Sequence, residues 1–140
     1  AMPIVYTAHA TSTGGRDGRG KTDDGKVDVQ LSLPPEMGGD GKGTNPEQLF
    51  AVGYSGCYLG AIRFIAGKEK VAITPDASVT AHVGVGPRED GGGFGLAVTL
   101  DVKLPGVDKA KAEDIATKAH VVCPYSHATK GNITVTTRIV

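Results

Sequence analysis

The chain has 140 residues, and its 15 lysines and arginines are balanced by 15 aspartates and glutamates. Because it contains no basic run and only 5% aromatic residues, we expect no nucleic-acid partner. The length favours one domain over residues 1–140, with Ala1 as the remnant of a cleaved tag. The longest apolar segment, 49–66, is interrupted by Arg63 and small polar residues, so we expect neither a membrane span nor a signal peptide. Small molecules or other proteins are the expected partners.

The N-terminal part of the sequence predicts two strands and two glycine-rich loops. Strands are predicted over 5–12 and 27–33, and the second alternates between apolar and polar positions. The sequence TGGRDGRG between them predicts a turn or loop that carries two arginines. A second loop, over 34–45, is dense in glycine and proline but too short to separate two domains.

A long helix is predicted over 46–66. Thr44 or Asn45 can cap it, Pro46 suits its first turn, and Glu47 lies near its positive end. Apolar or small residues cover every face of this helix, which predicts that it is buried. Because a chain of 140 residues cannot readily surround such a helix, we expect two copies to pack through it as a homodimer.

The C-terminal half of the sequence predicts three further strands and one helix. Strands are predicted over 78–86 and 94–104, joined by the glycine-rich turn REDGGG. Asp108 can cap a helix that runs to about residue 121, and the β-branched residues of 132–140 predict a closing strand. This order of elements predicts an α+β fold with mainly antiparallel sheet.

Cys57 lies in the middle of the long predicted helix, in the nearly uncharged sequence YSGCYLGAIRFI. It is either a small apolar core residue or a reactive thiol, and a reactive thiol requires a cation or a base nearby. The arginines of the first loop, Arg16 and Arg19, are the available cations, because Arg63 lies on the opposite face of the helix. The residues alone leave both interpretations of Cys57 open.

The second cysteine, Cys123, follows the second predicted helix and directly precedes Pro124. If Cys123 contacts Cys57, the two form a redox couple, but the sequence does not show that they meet. Two cysteines without an export signal favour a reducing compartment, which predicts a cytoplasmic location. In such a compartment a disulfide is more often catalytic or redox-sensing than structural.

A competing interpretation is a zinc site in a structural or interaction module. His120, Cys123 and His127 have ligand-like types and spacing, and Cys57 could complete a tetrahedral set. The spacing is only weakly informative, because Pro124 interrupts the segment.

Glu47 is either a favourable acid in a first helical turn or part of a site. On one straight helix it lies ten residues from Cys57, roughly 15 Å along the axis, so it cannot easily serve the thiol of its own chain. Two such helices packed antiparallel about a two-fold axis would bring the glutamate of one subunit toward the cysteine of the other. A site shared between subunits is therefore a hypothesis.

Three blocks of sequence carry a resemblance to a known family. They are TGGRDG at 13–18, GTNPEQLFAVGYSGC at 43–57 and AHVVCPYSHATKGN at 119–132. In this order they resemble the organic hydroperoxide resistance proteins, within the wider osmotically inducible protein superfamily. The resemblance covers essentially the whole chain.

The resemblance implies a role for four residues. Cys57 corresponds to the peroxidatic thiol, and Cys123 to the resolving thiol that forms a disulfide with it. Arg16 and Glu47 correspond to a pair that lies beside the reactive thiol. Apolar residues are expected to receive the alkyl tail of a substrate, and the candidates are Met37, Phe50, Phe94 and Tyr125.

The resemblance also implies an activity and a set of partners. The family reduces organic hydroperoxides through cysteine chemistry, as peroxidases of the oxidative stress response, and is recycled by dithiols such as protein-bound lipoyl groups. It implies an intertwined homodimer, with sheets wrapped around the central helices of both subunits. It implies no metal and no organic cofactor.

Overall fold

A computed structural model describes every residue from Ala1 to Val140, and its contacts divide the chain into two units, Ala1–Leu49 and Phe50–Val140. One continuous helix, α1 (Pro46–Lys68), crosses the boundary between the units. The expectation of a single domain over 1–140 stays a prediction.

The first unit contains a small antiparallel sheet of three strands in the order β1, β2, β3. Their bounds are Ala10–Thr13 for β1, Arg19–Thr22 for β2 and Asp28–Gln30 for β3. The predicted strand over 5–12 starts too early, because Ala10 pairs with the last residue of β2 and the residues before it face no strand. Strand β2 is missing from the prediction because its charged, glycine-containing sequence has no apolar alternation.

The loop between β1 and β2 depends on glycine. Gly14 and Gly15 have φ angles of 75° and 61°, in the left-handed region that other residues rarely adopt. A Cβ atom on Gly18 would overlap the carbonyl oxygen of Thr13. The chain can therefore turn tightly here, through a short 3-10 helix (Gly15–Asp17) that carries Arg16.

Helix α1 begins and ends close to the predicted bounds. The side chain of Asn45 accepts a hydrogen bond of 2.8 Å from the backbone N–H of Gln48, so Asn45 caps the helix. The buried residues of α1 lie along one face: Tyr54, Tyr58, Ala61, Ile62, Ile65 and Ala66. By length and apolar composition α1 could cross a membrane, but the core helix of a soluble protein meets the same criteria.

The opposite face of α1 is exposed in a single chain. Val52 is 72% exposed and Phe64 is 53% exposed, although both are apolar. The expectation that every face of this helix is buried is therefore not met within one chain. An exposed apolar face of this kind is typical of an interaction surface.

The second unit contains a sheet of three strands in the order β4, β5, β6. Strands β4 (Ser78–Pro87) and β5 (Phe94–Lys103) form an antiparallel hairpin, and β6 (Val135–Ile139) pairs in parallel with β5. The parallel pair requires a long crossover, which helices α2 (Lys109–Val122) and α3 (Pro124–Thr129) provide. The α+β fold with mainly antiparallel sheet is confirmed.

The core of the second unit joins α1 and α2 to the sheet. Its large, fully buried side chains include Tyr54, Ile62, Leu100 and Ile115. Helix α3 is missing from the prediction because Pro124 suggests an interruption. In the structure this proline occupies the first turn of α3, where its missing N–H costs nothing.

The cap of α2 offers a test of this local structure. Asp108 accepts a hydrogen bond of 2.9 Å from the backbone N–H of Lys111, as predicted for a capping residue. Asp108→Ala should lower the free energy of unfolding by about 1 kcal/mol, because this N–H loses its partner. Urea denaturation measures the change, with Asp108→Asn as the control that keeps a capping oxygen. Equal stability of the wild type and Asp108→Ala would contradict the assignment.

Candidate active site

The thiols of Cys57 and Cys123 are in contact, with a distance of 3.5 Å between the two Sγ atoms. The two residues are 66 positions apart in the sequence, and both cysteines are free. The contact is longer than the S–S bond of about 2.05 Å in a disulfide, but short enough for one to form after a small movement. The question that the sequence left open, whether the two cysteines meet, is answered by the fold.

Cys123 forms the corner between α2 and α3. Its backbone N–H donates to the carbonyl of Ala119 at the end of α2, and its Sγ accepts a hydrogen bond of 3.4 Å from the backbone N–H of Ser126 in α3. Its backbone is extended, with φ −72° and ψ 119°, as the following Pro124 requires. Cys123 itself is fully buried, and its sulfur lies against the sulfur of Cys57 on α1.

The environment of Cys57 within the second unit does not favour the thiolate. Burial raises the pKa of the Cys57 thiol, a hydrogen bond from the backbone of Tyr125 lowers it, and the neighbouring Cys123 raises it again. The net effect is a raised pKa. A thiolate at Cys57 at neutral pH therefore requires a stabilising cation or a base beyond these neighbours.

In the first unit, Arg16 and Glu47 form a bidentate ion pair. The two guanidinium nitrogens lie 3.0 and 2.8 Å from the two carboxylate oxygens. Hydrogen bonding to Arg16 holds the pKa of Glu47 below its ordinary value, and the pKa of Arg16 is raised by the same bonds. The Glu47 side chain is 11% exposed and the Arg16 side chain 43%, so the carboxylate anchors a guanidinium that still faces outward. The catalytic role of the pair stays a prediction.

The other cations considered in the sequence have different partners. Arg19 lies 2.7 Å from the carboxylate of Asp28 across the first sheet. Arg63 donates to the carbonyl of Thr74 at 3.1 Å.

The zinc interpretation finds no support in the structure. No three histidine, cysteine, aspartate or glutamate side chains are grouped so that they could hold a metal ion. Both ring nitrogens of His120 are already hydrogen-bonded, to the hydroxyls of Ser126 and Thr137 at 2.7 Å each. His127, seven residues further along the chain in α3, is exposed.

A mainly apolar pocket of about 380 Å³ lies beside the start of α3. Two of the residues proposed for an alkyl pocket line it, Phe50 and Tyr125, whose ring centroids are 5.8 Å apart. Phe94 is 71% exposed and does not line it, and Met37 belongs to the first unit. Residues that the sequence did not suggest complete the lining: Leu96, Ala128, Thr129, Asn132 and Ile133.

Comparison with known proteins assigns the family. The model of the OsmC-like proteins matches residues 39–138. An organic hydroperoxide resistance protein of Xanthomonas axonopodis pv. citri is 50% identical over 134 residues, which are 95% of this chain and 93% of the relative.

Solved structures of similar proteins support the same family assignment. Organic hydroperoxide resistance proteins of Legionella pneumophila and Elizabethkingia anophelis both superpose with a TM-score of 0.92, at 41% and 44% identity. The first match covers 98% of both chains, and the second 99% of this chain and 98% of the other. Fold and sequence together define an OsmC-like protein. Within that class, the chain belongs to the family of organic hydroperoxide resistance proteins.

The Arg16–Glu47 pair can be tested by titration. Arg16→Ala should raise the pKa of Glu47 toward its ordinary value, because the hydrogen bonds that favour the carboxylate are lost. In the wild type the pair stabilises the fold at pH values above the pKa of an unfolded glutamate, and this contribution is lost as the pH falls through the lower, folded pKa.

Carbon-13 NMR of the glutamate carboxyls measures this pKa directly. Arg19→Ala is the matched control, because Arg19 lies three residues after Arg16, at the start of β2, but pairs with Asp28. An unchanged pKa of Glu47 in Arg16→Ala would show that the ion pair does not form in solution.

Proposed function

We propose that this protein is a cysteine-based peroxidase that reduces organic hydroperoxides to alcohols. The names of its relatives support a peroxide-detoxifying role. The observation that carries the finer proposal is the 3.5 Å contact between two free thiols from distant parts of the chain. Tyr125, whose backbone hydrogen-bonds the half-buried Cys57, also lines an apolar pocket, and such a pocket suits a substrate that has an apolar tail.

In the first step, the thiolate of Cys57 attacks one peroxide oxygen of the substrate. The O–O bond breaks, Cys57 becomes a sulfenic acid, and the alkoxide takes up a proton to leave as the alcohol. The raised pKa of Cys57 means that this step needs a stabilised thiolate.

Arg16 supplies the stabilising charge in this proposal. Its bidentate bonds to Glu47 fix the orientation of the guanidinium, and its glycine-rich loop permits a close approach. Because ten residues of helix separate Glu47 from Cys57, the pair serves the thiol of the other subunit if two copies of α1 pack antiparallel.

In the second step, the thiol of Cys123 condenses with the sulfenic acid. The new S–S bond joins Cys57 to Cys123, and the sulfenic oxygen leaves as water. An external dithiol, such as a protein-bound lipoyl group, then reduces the disulfide by thiol exchange and becomes a disulfide itself. Each cycle thus converts one hydroperoxide and one dithiol into one alcohol, one water and one oxidised dithiol.

The working form is proposed to be a homodimer in the cytoplasm. Two observations support the dimer: the exposed apolar face of α1, and a helix whose sequence is apolar or small on every side. The reducing conditions of the cytoplasm would keep both cysteines free between cycles.

Substitution of each cysteine tests the two steps separately. Cys57→Ser should abolish reduction of cumene hydroperoxide with dihydrolipoamide as the reductant, because the attacking thiol is lost. Cys123→Ser should reduce about one peroxide per site and then stop or over-oxidise, because no thiol traps the sulfenic acid. Peroxide consumption and intact mass measure both outcomes. Turnover that survives in Cys57→Ser would end the proposal.

The role of the guanidinium is tested by Arg16→Lys. This change keeps the charge but loses the bidentate pair, so kcat/KM should fall by roughly 10- to 100-fold, the equivalent of one charge-assisted hydrogen bond. The rate of Cys57 alkylation by iodoacetamide against pH should show a further rise in the thiol pKa.

Arg19→Lys is the control and should match the wild type in both assays, because Arg19 lies in a different ion pair. If Arg16→Lys also matches the wild type, Arg16 does not activate the thiol.

A further inference from the structure

A connected set of buried and half-buried polar side chains lies close to Cys123. We call it the His120 cluster, and its members are Tyr54 of α1, His120 of α2, Ser126 and Thr129 of α3, and Thr137 of β6. The ring nitrogens of His120 lie 2.7 Å from the hydroxyls of Ser126 and Thr137. The hydroxyl of Tyr54 lies 2.9 Å from Ser126 and 3.3 Å from Thr129. Four elements of the second unit are joined by these bonds.

The histidine in this cluster is neutral and fixed. Burial lowers the pKa of His120, so one ring nitrogen donates and the other accepts, and hydroxyl partners can satisfy either arrangement. The ring also packs against Tyr58, with 4.5 Å between the ring centroids. No step of the proposed reaction uses this side chain, although it lies only three residues from Cys123.

The bond from His120 to Ser126 spans the corner between α2 and α3. Helix α2 ends at Val122 and α3 begins at Pro124, so Cys123 is the only residue between them. The bonds of Tyr54 tie α3 to α1, whereas the bond between His120 and Ser126 ties α3 to α2. Ser126 completes the link to the sulfur, because its backbone N–H donates to Cys123 Sγ at 3.4 Å.

We propose that His120 and Ser126 are positioning residues for Cys123. The hydrogen bond between them holds the first turn of α3 against the end of α2, and so keeps the sulfur of Cys123 within reach of Cys57. This inference rests on the proposed function, because it gives Cys123 the task of attacking an oxidised Cys57. The step that it assists is the condensation of the Cys57 sulfenic acid with the Cys123 thiol, which forms the S–S bond and releases water.

A matched pair of substitutions distinguishes the roles of the two hydrogen bonds that the ring nitrogens of His120 make. The amide of asparagine reaches the position of Nδ1, so His120→Asn can keep the bond to Ser126 and loses the bond to Thr137. The longer glutamine reaches the position of Nε2, so His120→Gln keeps Thr137 and loses Ser126. Both variants lose the packing against Tyr58. Only His120→Gln should therefore remove the hydrogen bond that holds α3 against the end of α2.

The measured quantity is the rate of disulfide formation after one equivalent of cumene hydroperoxide. In His120→Gln the disulfide should form more slowly by roughly 10- to 100-fold, since small misplacements of reacting atoms cost rates of that order. The sulfenic acid should accumulate, and its trapping by dimedone measures it by mass. His120→Asn should remain within a few-fold of the wild type. His127→Asn, at an exposed histidine of α3, is the control for loss of an imidazole.

Ser126 gives an independent test if either histidine variant fails to fold, as judged by circular dichroism. Ser126→Ala removes the hydroxyl and should delay the disulfide as His120→Gln does, whereas Ser126→Thr keeps the hydroxyl and should restore the rate. A disulfide that forms at the wild-type rate in Ser126→Ala or His120→Gln overturns the proposal. Equal slowing in His120→Asn and His120→Gln, or in both Ser126 variants, also overturns it, because the bond itself then has no special role.

A second oxidant separates this inference from the proposed function. Diamide accepts one thiol and is then displaced by the second, which yields the disulfide and the reduced hydrazine without any peroxide chemistry. If the wild type consumes no cumene hydroperoxide, the proposed function fails. The rates of disulfide formation by diamide still test the positioning role. Slow formation in His120→Gln and Ser126→Ala, with fast formation in the other variants, supports that role, and equal rates in all variants overturn it.

Discussion

The contact between the sulfurs of Cys57 and Cys123 is the interaction on which the site depends, and it exists only because of a corner in the chain. Pro124 forces the preceding residue out of helical geometry, so α2 stops and α3 starts again in a new direction. Cys123 occupies the single residue of that corner. From this position its sulfur contacts the thiol of Cys57 on α1 at 3.5 Å.

Burial favours the binding of an apolar substrate near Cys57 but disfavours the reactive thiolate. It partly shields Cys57 from water, and Tyr125, which hydrogen-bonds Cys57, lines an apolar pocket. Burial also raises the pKa of Cys57 and so suppresses the reactive thiolate. The proposed function assigns the compensating positive charge to Arg16. Two bonds to Glu47 already fix the orientation of its guanidinium, so less side-chain freedom remains to be lost when it stabilises a charge.

Much of the fold could be predicted from the sequence, and the failures have physical causes. The long helix, the hairpin of β4 and β5 and the cap at Asp108 carry strong local signals, and the structure has all three. The sequence RGKT does not predict strand β2, because its side chains have no strand pattern. The strand forms because its backbone pairs with β1 on one side and β3 on the other. Helix α3 was missed because a proline can begin a helix as well as end one.

The site was less predictable than the fold. The ion pair of Arg16 and Glu47 follows from a resemblance between motifs, since nothing local to either residue indicates a partner 31 positions away. The contact between the cysteines is equally non-local, because it depends on how α2 and α3 cross from β5 to β6. Nothing in the sequence distinguishes the hydroxyl residues around His120 from ordinary polar residues. Only the structure shows that hydrogen bonds connect them to one another.

The separation of the two cysteines along the chain has a consequence for the thermodynamics of the redox cycle. A bond between residues 66 positions apart would close a loop that includes most of α1, the hairpin and α2. Closing a loop of that length removes conformational entropy from the unfolded chain, which corresponds to about 4 kcal/mol of added stability in the chain-entropy model. The oxidised protein would thus be harder to unfold than the reduced one. In the proposed cycle, each reduction by a dithiol would return the chain to its more easily unfolded form, so without reductant the protein would remain in its more stable, oxidised form.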